Sequence, residues 1–268
     1  MVSIVSFELE GDFAAFRDPT VTSNQTVYII PSKSAVVGLI GAIIGLKRPN
    51  TLGPYYQELP YCKEYLDLMK DTMIGVQMRS EPKKVAFFTN HRSLKEKKTK
   101  PFKTELLIAP RYTIFVKSND AIMAKIMDAL ESRSFVYPPM LGHAYCLARV
   151  PSFNHHEAKA VVPENKLVST TILDGILETG NTNSGLEFDG PPGKSIRVIV
   201  ERHLHHYFEK EKDQDLIKMP KRKVLRHWIP VPVNGEDSPI EITSFTDPLS
   251  IVDFYEIDGL CGKAICLY

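Results

Sequence analysis

Cysteine is scarce in this chain. Its four cysteines (Cys62, Cys146, Cys261 and Cys266) are scattered and form no CxxC pair. That argues against a structural zinc site and against a disulfide framework, and makes a reduced, cytoplasmic setting the expectation. Long apolar runs are missing too. The longest, Ala35 to Leu46, falls short of the roughly 20 residues needed to cross a bilayer, so no membrane association is expected. The opening residues lack a basic stretch, and Glu8, Glu10 and Asp12 interrupt any apolar export core. There is no excess of either charge. Lys and Arg number 33 against 32 Asp and Glu, a formal net charge of +1, which excludes a uniformly basic nucleic-acid binder. No internal repeat and no low-complexity segment is visible.

What is present is an ordinary globular composition, 43% hydrophobic and 24% charged over 268 residues. At about 150 residues per domain the length suggests about two domains, with one large domain as the alternative. Ser3 to Glu8 reads as a strand, followed by a loop from Glu10 to Thr26 and a short extended run, Tyr28 to Ile30. Pro31 stops that run, and Ser32 or Ser34 can cap a helix reaching about Leu46. The helix is apolar all round, so it should be buried. Its Gly38, Gly41 and Gly45 lie on one stripe, which predicts close packing against a sheet or another backbone. They do not make a phosphate-binding loop, because the GxxxxGK[ST] spacing is absent.

A second helix is expected between Tyr55 and Asp71 and a strand from Met73 to Arg79. Then the charge changes sharply. Arg79 to Lys103 holds nine basic residues and two acidic ones, a local net charge of +7. Val85 to Phe88 and Leu106 to Ile108 read as the arms of a long hairpin with its tip at Asn90 to Pro101. Strand Tyr112 to Val116 follows, then a helix from Asp120 to Ser132 capped by Asn119, then a candidate strand from Ala144 to Val150. The order is βαββαβ with an inserted hairpin, which predicts an α+β fold: a ferredoxin-like (RRM-like) domain over 1–150 with a basic β-hairpin thumb at about 79–110. Pro151 to Pro163 reads as a linker. A smaller β-rich domain is expected over 164–268, with strands around Ile196 to Val200, Trp228 to Val233 and Lys263 to Tyr268. Asp174 to Asp189 reads as an acidic surface loop, and Lys218 to Arg226 as a second basic cluster.

Three places carry chemistry. Ser32, Lys33 and Ser34 place hydroxyls, a cation and unpaired N–H groups at a helix N-terminus, which suits phosphate, with Arg17 in the preceding loop; a plain capped helix is the alternative. The basic segment combines Lys83, Lys84, Arg92, Lys95, Lys97, Lys98, Lys100 and Lys103 with Phe87, Phe88, His91 and Phe102. Cations for phosphates and rings for bases are the components of a single-strand binding surface. The third is Tyr137 to Cys146, whose turn can set Tyr137, His143 and Tyr145 side by side. His203, His205, His206, His155 and His156 lack carboxylate or cysteine partners at metal-ligand spacing. No metal or other cofactor is expected.

The stretches Phe7-Glu8-Leu9-Glu10-Gly11-Asp12-Phe13 through Arg17, Tyr28-Ile29-Ile30-Pro31-Ser32-Lys33-Ser34 and Gly38 to Gly45 resemble the N-terminal signature of the CRISPR-associated Cas5 family. Leu141-Gly142-His143-Ala144-Tyr145-Cys146 is similar to that family's second signature. The resemblance is strong over residues 3–46, fair to about 150 and weak beyond, and it looks closest to type I-B members. It implies a non-catalytic RNA-binding subunit of a type I Cascade complex that caps the backbone filament and holds the 5′ handle of the crRNA. The implied partners are a Cas7-family backbone subunit, a Cas8-family large subunit and, through the assembled complex, target DNA. The resemblance matches Ser32, Lys33 and Ser34 to the handle-side turn, Leu141 to Tyr145 to a second handle-contacting loop and Arg79 to Lys103 to the thumb; the expected RNA-binding residues are the hairpin cations with Arg17, Tyr28, Ser32, Lys33, Ser34, Arg111, Gly142, His143 and Tyr145. One branch, type I-C, is a metal-independent endoribonuclease with an adjacent lysine and histidine. That pair is absent here, where the strand reads Pro110-Arg111-Tyr112. Tyr28, Lys33 and His143 remain as the alternative set for such an activity. A pure protein scaffold is the third reading.

Overall fold

In chain order the strands are β1 (Val2–Gly11), β2 (Phe13–Ala14), β3 (Met73–Met78), β4 (Lys83–Arg92), β5 (Thr99–Ile108), β6 (Arg111–Lys117), β7 (Ala148–Arg149), β8 (Phe153–Ala160), β9 (Lys166–Val168), β10 (Ile172–Leu177), β11 (Leu186–Asp189), β12 (Lys194–Arg202), β13 (Arg222–Pro230), β14 (Ile240–Phe245), β15 (Asp253–Ile257) and β16 (Ala264–Leu267). The helices are α1 (Lys33–Ile44), α2 (Lys63–Asp71) and α3 (Asp120–Glu131). This computed structural model describes residues 1–21, 24–46, 63–92, 98–177, 186–189, 194–202, 222–245, 252–260 and 262–268.

β1 lies between β6 and β8, and β6 in turn pairs with β3, all antiparallel. With α1 between β1 and β3, and α3 between β6 and β8, the connectivity is βαββαβ. One face of these strands presents Val5, Phe7, Leu9, Ile74, Val76, Ile114 and Val116 to α1 and α3 in a single buried cluster. Each such apolar side chain contributes about 1.5–3 kcal/mol when fully buried. Ser32 caps α1, its side chain accepting from the Ala35 N–H, and Asn119 caps α3, its Oδ1 accepting from the Ile122 N–H at 3.0 Å. Both helices thus start where the sequence placed them.

The opposite face is only partly covered. Ile4, Phe115 and Ala158 pack with Tyr255, Ile257, Ile265 and Leu267 at one end. The rest opens into a cavity of about 730 Å³ whose lining includes Glu8, Thr113, His155, Glu157 and Asp258. Beyond β8 the same sheet continues through β15, β16, β9, β14 and β11, with β16 and β9 parallel. β10, β13 and β12 form a second sheet, and β2, β5 and β4 a third.

Several expectations are corrected. The strand expected at Ala144 to Val150 is only the two-residue β7; the fourth strand is β8, in the segment read as a linker. β8 escaped notice because Asn154, His155 and Glu157 are exposed, so the strand lacks alternating apolar residues and is held by its ladder to β1. Sheet pairing therefore runs through the expected 150–164 boundary. The hairpin arms extend into the predicted tip, to Arg92 and from Thr99. Asp174 to Asp189, read as a loop, contains the end of β10 and all of β11. The glycine stripe does not pack closely throughout: a Cβ on Gly38 would meet nothing within 4 Å, while Gly45 ends the helix at φ 79° against Val136. Residues 55–62 of the second predicted helix, and His203, His205 and His206, lie outside the described residues, as do Lys218 to Lys221 of the second basic cluster.

Candidate nucleic-acid interface

The site begins with a narrow ribbon between β2 and α1. Tyr28 N donates to Phe16 O at 2.8 Å and Asp18 N to Thr26 O at 2.9 Å, with Arg17 bridging Val27. Asp18 organises the turn. Its Oδ1 accepts from Thr20 N (2.9 Å), Thr20 Oγ1 (2.6 Å) and the Tyr28 hydroxyl (3.0 Å). Burial pushes the Asp18 carboxyl up, but these hydrogen bonds and the Lys84 charge hold it below the usual carboxylate value. The buried Tyr112 hydroxyl donates to Ile29 O at 2.7 Å, which pins the ribbon's exit to the main sheet.

A second loop lies on this ribbon. Ala15 N donates to Leu141 O at 2.9 Å, Leu141 N to Cys146 O at 2.7 Å and Cys146 N to His143 O at 2.9 Å. Gly142 makes the approach possible. Its φ is +94°, and a Cβ there would lie 2.2 Å from Ala15 O. His143 and Tyr145 stack nearly parallel, with centroids 5.2 Å apart and planes 6° apart. Tyr145 is 61% exposed, so much of this pair faces outward. Burial, and then the positive charge of Arg17, hold His143 below its ordinary value. The ring is thus biased to the neutral form beside a cation. Gln25 Nε2 meets His143 Nε2.

The hairpin stands on the same ribbon. Gln25 N donates to Lys103 O and Glu105 N to Gln25 O, both at 2.8 Å, and Lys84 Nζ donates to Val27 O at 2.6 Å. Glu105 pairs with Lys84 (3.6 Å) and Lys103 (3.3 Å), so the base of the hairpin is charge-compensated. Lys83 is exposed at the foot of β4, Arg92, Lys98 and Lys100 are exposed toward the tip, and Phe88 is 75% exposed beside Lys103 in register. Ten-residue strands at about 3.3 Å per residue make an arm roughly 33 Å long. Lys95 and Lys97 lie outside the described residues.

The remaining candidates sit apart in role. Ser32 caps α1, its Oγ lies 3.0 Å from Ser34 Oγ, and Tyr65 donates to Ser34 O at 3.1 Å. Here the plain capping role is directly visible, with Lys33 on the first turn. Arg111 pairs with Glu10 at 3.6 Å; Arg149, which the sequence reading missed, joins Glu10 and Asp12 at 3.3 and 3.0 Å. Gln25 and Asp18 were also missed. The only local signal for them was their place in the polar loop between Arg17 and Tyr28. Chemically, the assembled surface offers cations for phosphate, an outward aromatic pair for bases and a neutral imidazole able to donate or accept a hydrogen bond.

The family model described as CRISPR-associated protein (Cas_Cas5) matches residues 4–229. A crystal structure of a CRISPR protein from Archaeoglobus fulgidus is similar over 99% of each chain at 12% identity, with a TM-score of 0.55. A chain of a CRISPR RNA-guided surveillance complex is similar over 87% of this chain and 91% of its own, at 14% identity and a TM-score of 0.48. No curated protein matches the chain.

Proposed function

The chain belongs to the CRISPR-associated Cas5 family, and on that premise we propose that it is a non-catalytic crRNA-binding subunit of a type I-B Cascade complex that holds the 5′ handle. The observation that carries this reading is the convergence on one ribbon of the Gly142-to-Tyr145 loop, Arg17 and the base of the basic hairpin. Cations along β4 and β5 engage the phosphates, and Phe88 and the His143–Tyr145 pair engage unstacked bases. In this reading the βαββαβ unit is a ferredoxin-like RAMP core, and the chain ends the crRNA-bearing filament against a Cas7-family backbone subunit and a Cas8-family large subunit.

A second reading, repeat processing without a metal, is favoured by one observation: a neutral His143 beside the Arg17 cation could accept a 2′-hydroxyl proton while the cation stabilises the developing charge. Against it, the Tyr28 hydroxyl donates to Asp18, and Gln25 occupies His143 Nε2. End-labelled CRISPR repeat RNA incubated with the purified protein in EDTA separates the two. Handle binding predicts a shifted, intact RNA. A cut leaving a 2′,3′-cyclic phosphate would replace this reading with the nuclease.

A further inference from the structure

Gln25 is where three parts of the interface meet. Its backbone exchanges hydrogen bonds with β5, at Lys103 O and Glu105 N, both 2.8 Å. Its side-chain amide reaches Nε2 of His143. Two residues on, the Val27 carbonyl accepts from Lys84 of β4 at 2.6 Å. Hairpin, ribbon and recognition loop are thus joined through one short segment.

The orientation of that amide sets the state of the ring. With its NH₂ placed toward the ring, Nε2 presents its lone pair and the imidazole proton sits on Nδ1; the opposite amide orientation would call for Nε2–H. A doubly protonated ring would set two donors against each other. The groups facing the ring agree: Arg17 on the ribbon is a cation, and Tyr145 and Cys146 on the ring's own loop are neutral at pH 7. No hydrogen bond engages Nδ1 among the described residues. The stack on Tyr145 fixes the plane in which that N–H points.

We propose that Gln25 is a positioning residue for crRNA recognition: it holds His143 as a neutral ring donating from Nδ1, and it ties that ring to the base of the basic hairpin so that the two contacts to the 5′ handle form together. The recognition role rests on the crRNA-binding reading above. The geometry of the ring does not.

The test uses the full-length chain. Long-range ¹⁵N–¹H spectra of the wild-type imidazole should show the Nδ1–H tautomer. Gln25→Ala should release it, and Gln25→Glu, an acceptor only, should move the proton to Nε2. Against a crRNA carrying the repeat-derived handle, Gln25→Ala and His143→Ala should each weaken binding about fivefold, the size of one net hydrogen bond. The double variant should bind no worse than His143→Ala, since one residue acts through the other. Replacing the handle sequence should abolish the effect of Gln25→Ala. An Nε2–H tautomer in the wild type, or losses that multiply in the double variant, would overturn the role of Gln25. A wild-type protein indifferent to the handle would overturn the binding reading itself, and the recognition role with it.

Discussion

Gly142→Ala isolates the contact on which the interface depends. The added Cβ would lie 2.2 Å from Ala15 O and 2.6 Å from Ala15 C, whereas ordinary contact begins at 3.4 Å. The obstruction is backbone, so the loop must move by an ångström or more. That movement breaks the Ala15 N to Leu141 O hydrogen bond, a loss of about 1 kcal/mol. The φ of +94° adds about 1–2 kcal/mol of strain for an L-residue. The total is about 3 kcal/mol, which at about 2–4 °C per kcal/mol lowers Tm by about 9 °C. Two controls separate the causes. Gly259 has the same φ of +94° with nothing within 4 Å, so Gly259→Ala carries the strain alone. Gly38→Ala has neither clash nor unusual φ and should stabilise the helix by about 1 kcal/mol. Thermal unfolding by circular dichroism ranks the three. Equal midpoints for Gly142→Ala and Gly259→Ala would refute the packing of this loop on the ribbon.

Three further outcomes follow from the same geometry. Phe88→Ala should weaken single-stranded RNA binding about fivefold, the low end of base stacking, with Tm unchanged because the ring is 75% exposed; a gel-shift titration and a melting curve check both halves. Replacing Lys98 and Lys100 together by alanine should make the slope of log K against log salt shallower by about 1.4, at about 0.7 per phosphate contact on a single strand, read from binding at several salt concentrations. Stability should fall on acidification. Burial and the Arg17 charge hold His143 below the ordinary 6.5, and burial and His155 do the same for His156. Below pH 6.5 the unfolded chain therefore takes up protons that the folded rings refuse, so their contribution is complete above that pH and is lost as pH falls through the folded values. Urea midpoints at pH 7.5 and 5.5 should show the drop, and a His143→Asn/His156→Asn variant should show less of it.

Elements with local signals were legible in the sequence. The Ser32 and Asn119 caps, the apolar α1, the alternation of β6 and the charged hairpin all declare themselves within a few residues. β8 did not, because its register against β1 holds it rather than an apolar face of its own, and Asn154, His155 and Glu157 look like a linker. The glycines show the same limit. Three in one helix drew attention, yet a Cβ on Gly38 would meet nothing within 4 Å, while Gly142, inside an aperiodic loop, is where two backbones meet. At the site, Arg17, His143 and Tyr145 stood out in the sequence by residue type and were joined to RNA binding by the family resemblance. Gln25 was invisible because its meaning comes from pairing with Thr104 and reaching His143, both far away in sequence.

The most direct test of where the RNA lies is photo-crosslinking of the protein to a crRNA carrying 4-thiouridine within the 5′ handle, followed by mass spectrometry of the adducts. The account predicts adducts on the ribbon, on the loop around His143 and Tyr145, and on the exposed residues of β4 and β5. Adducts on the opposite sheet face instead, at the cavity lined by Glu8, Thr113 and Glu157, would contradict it.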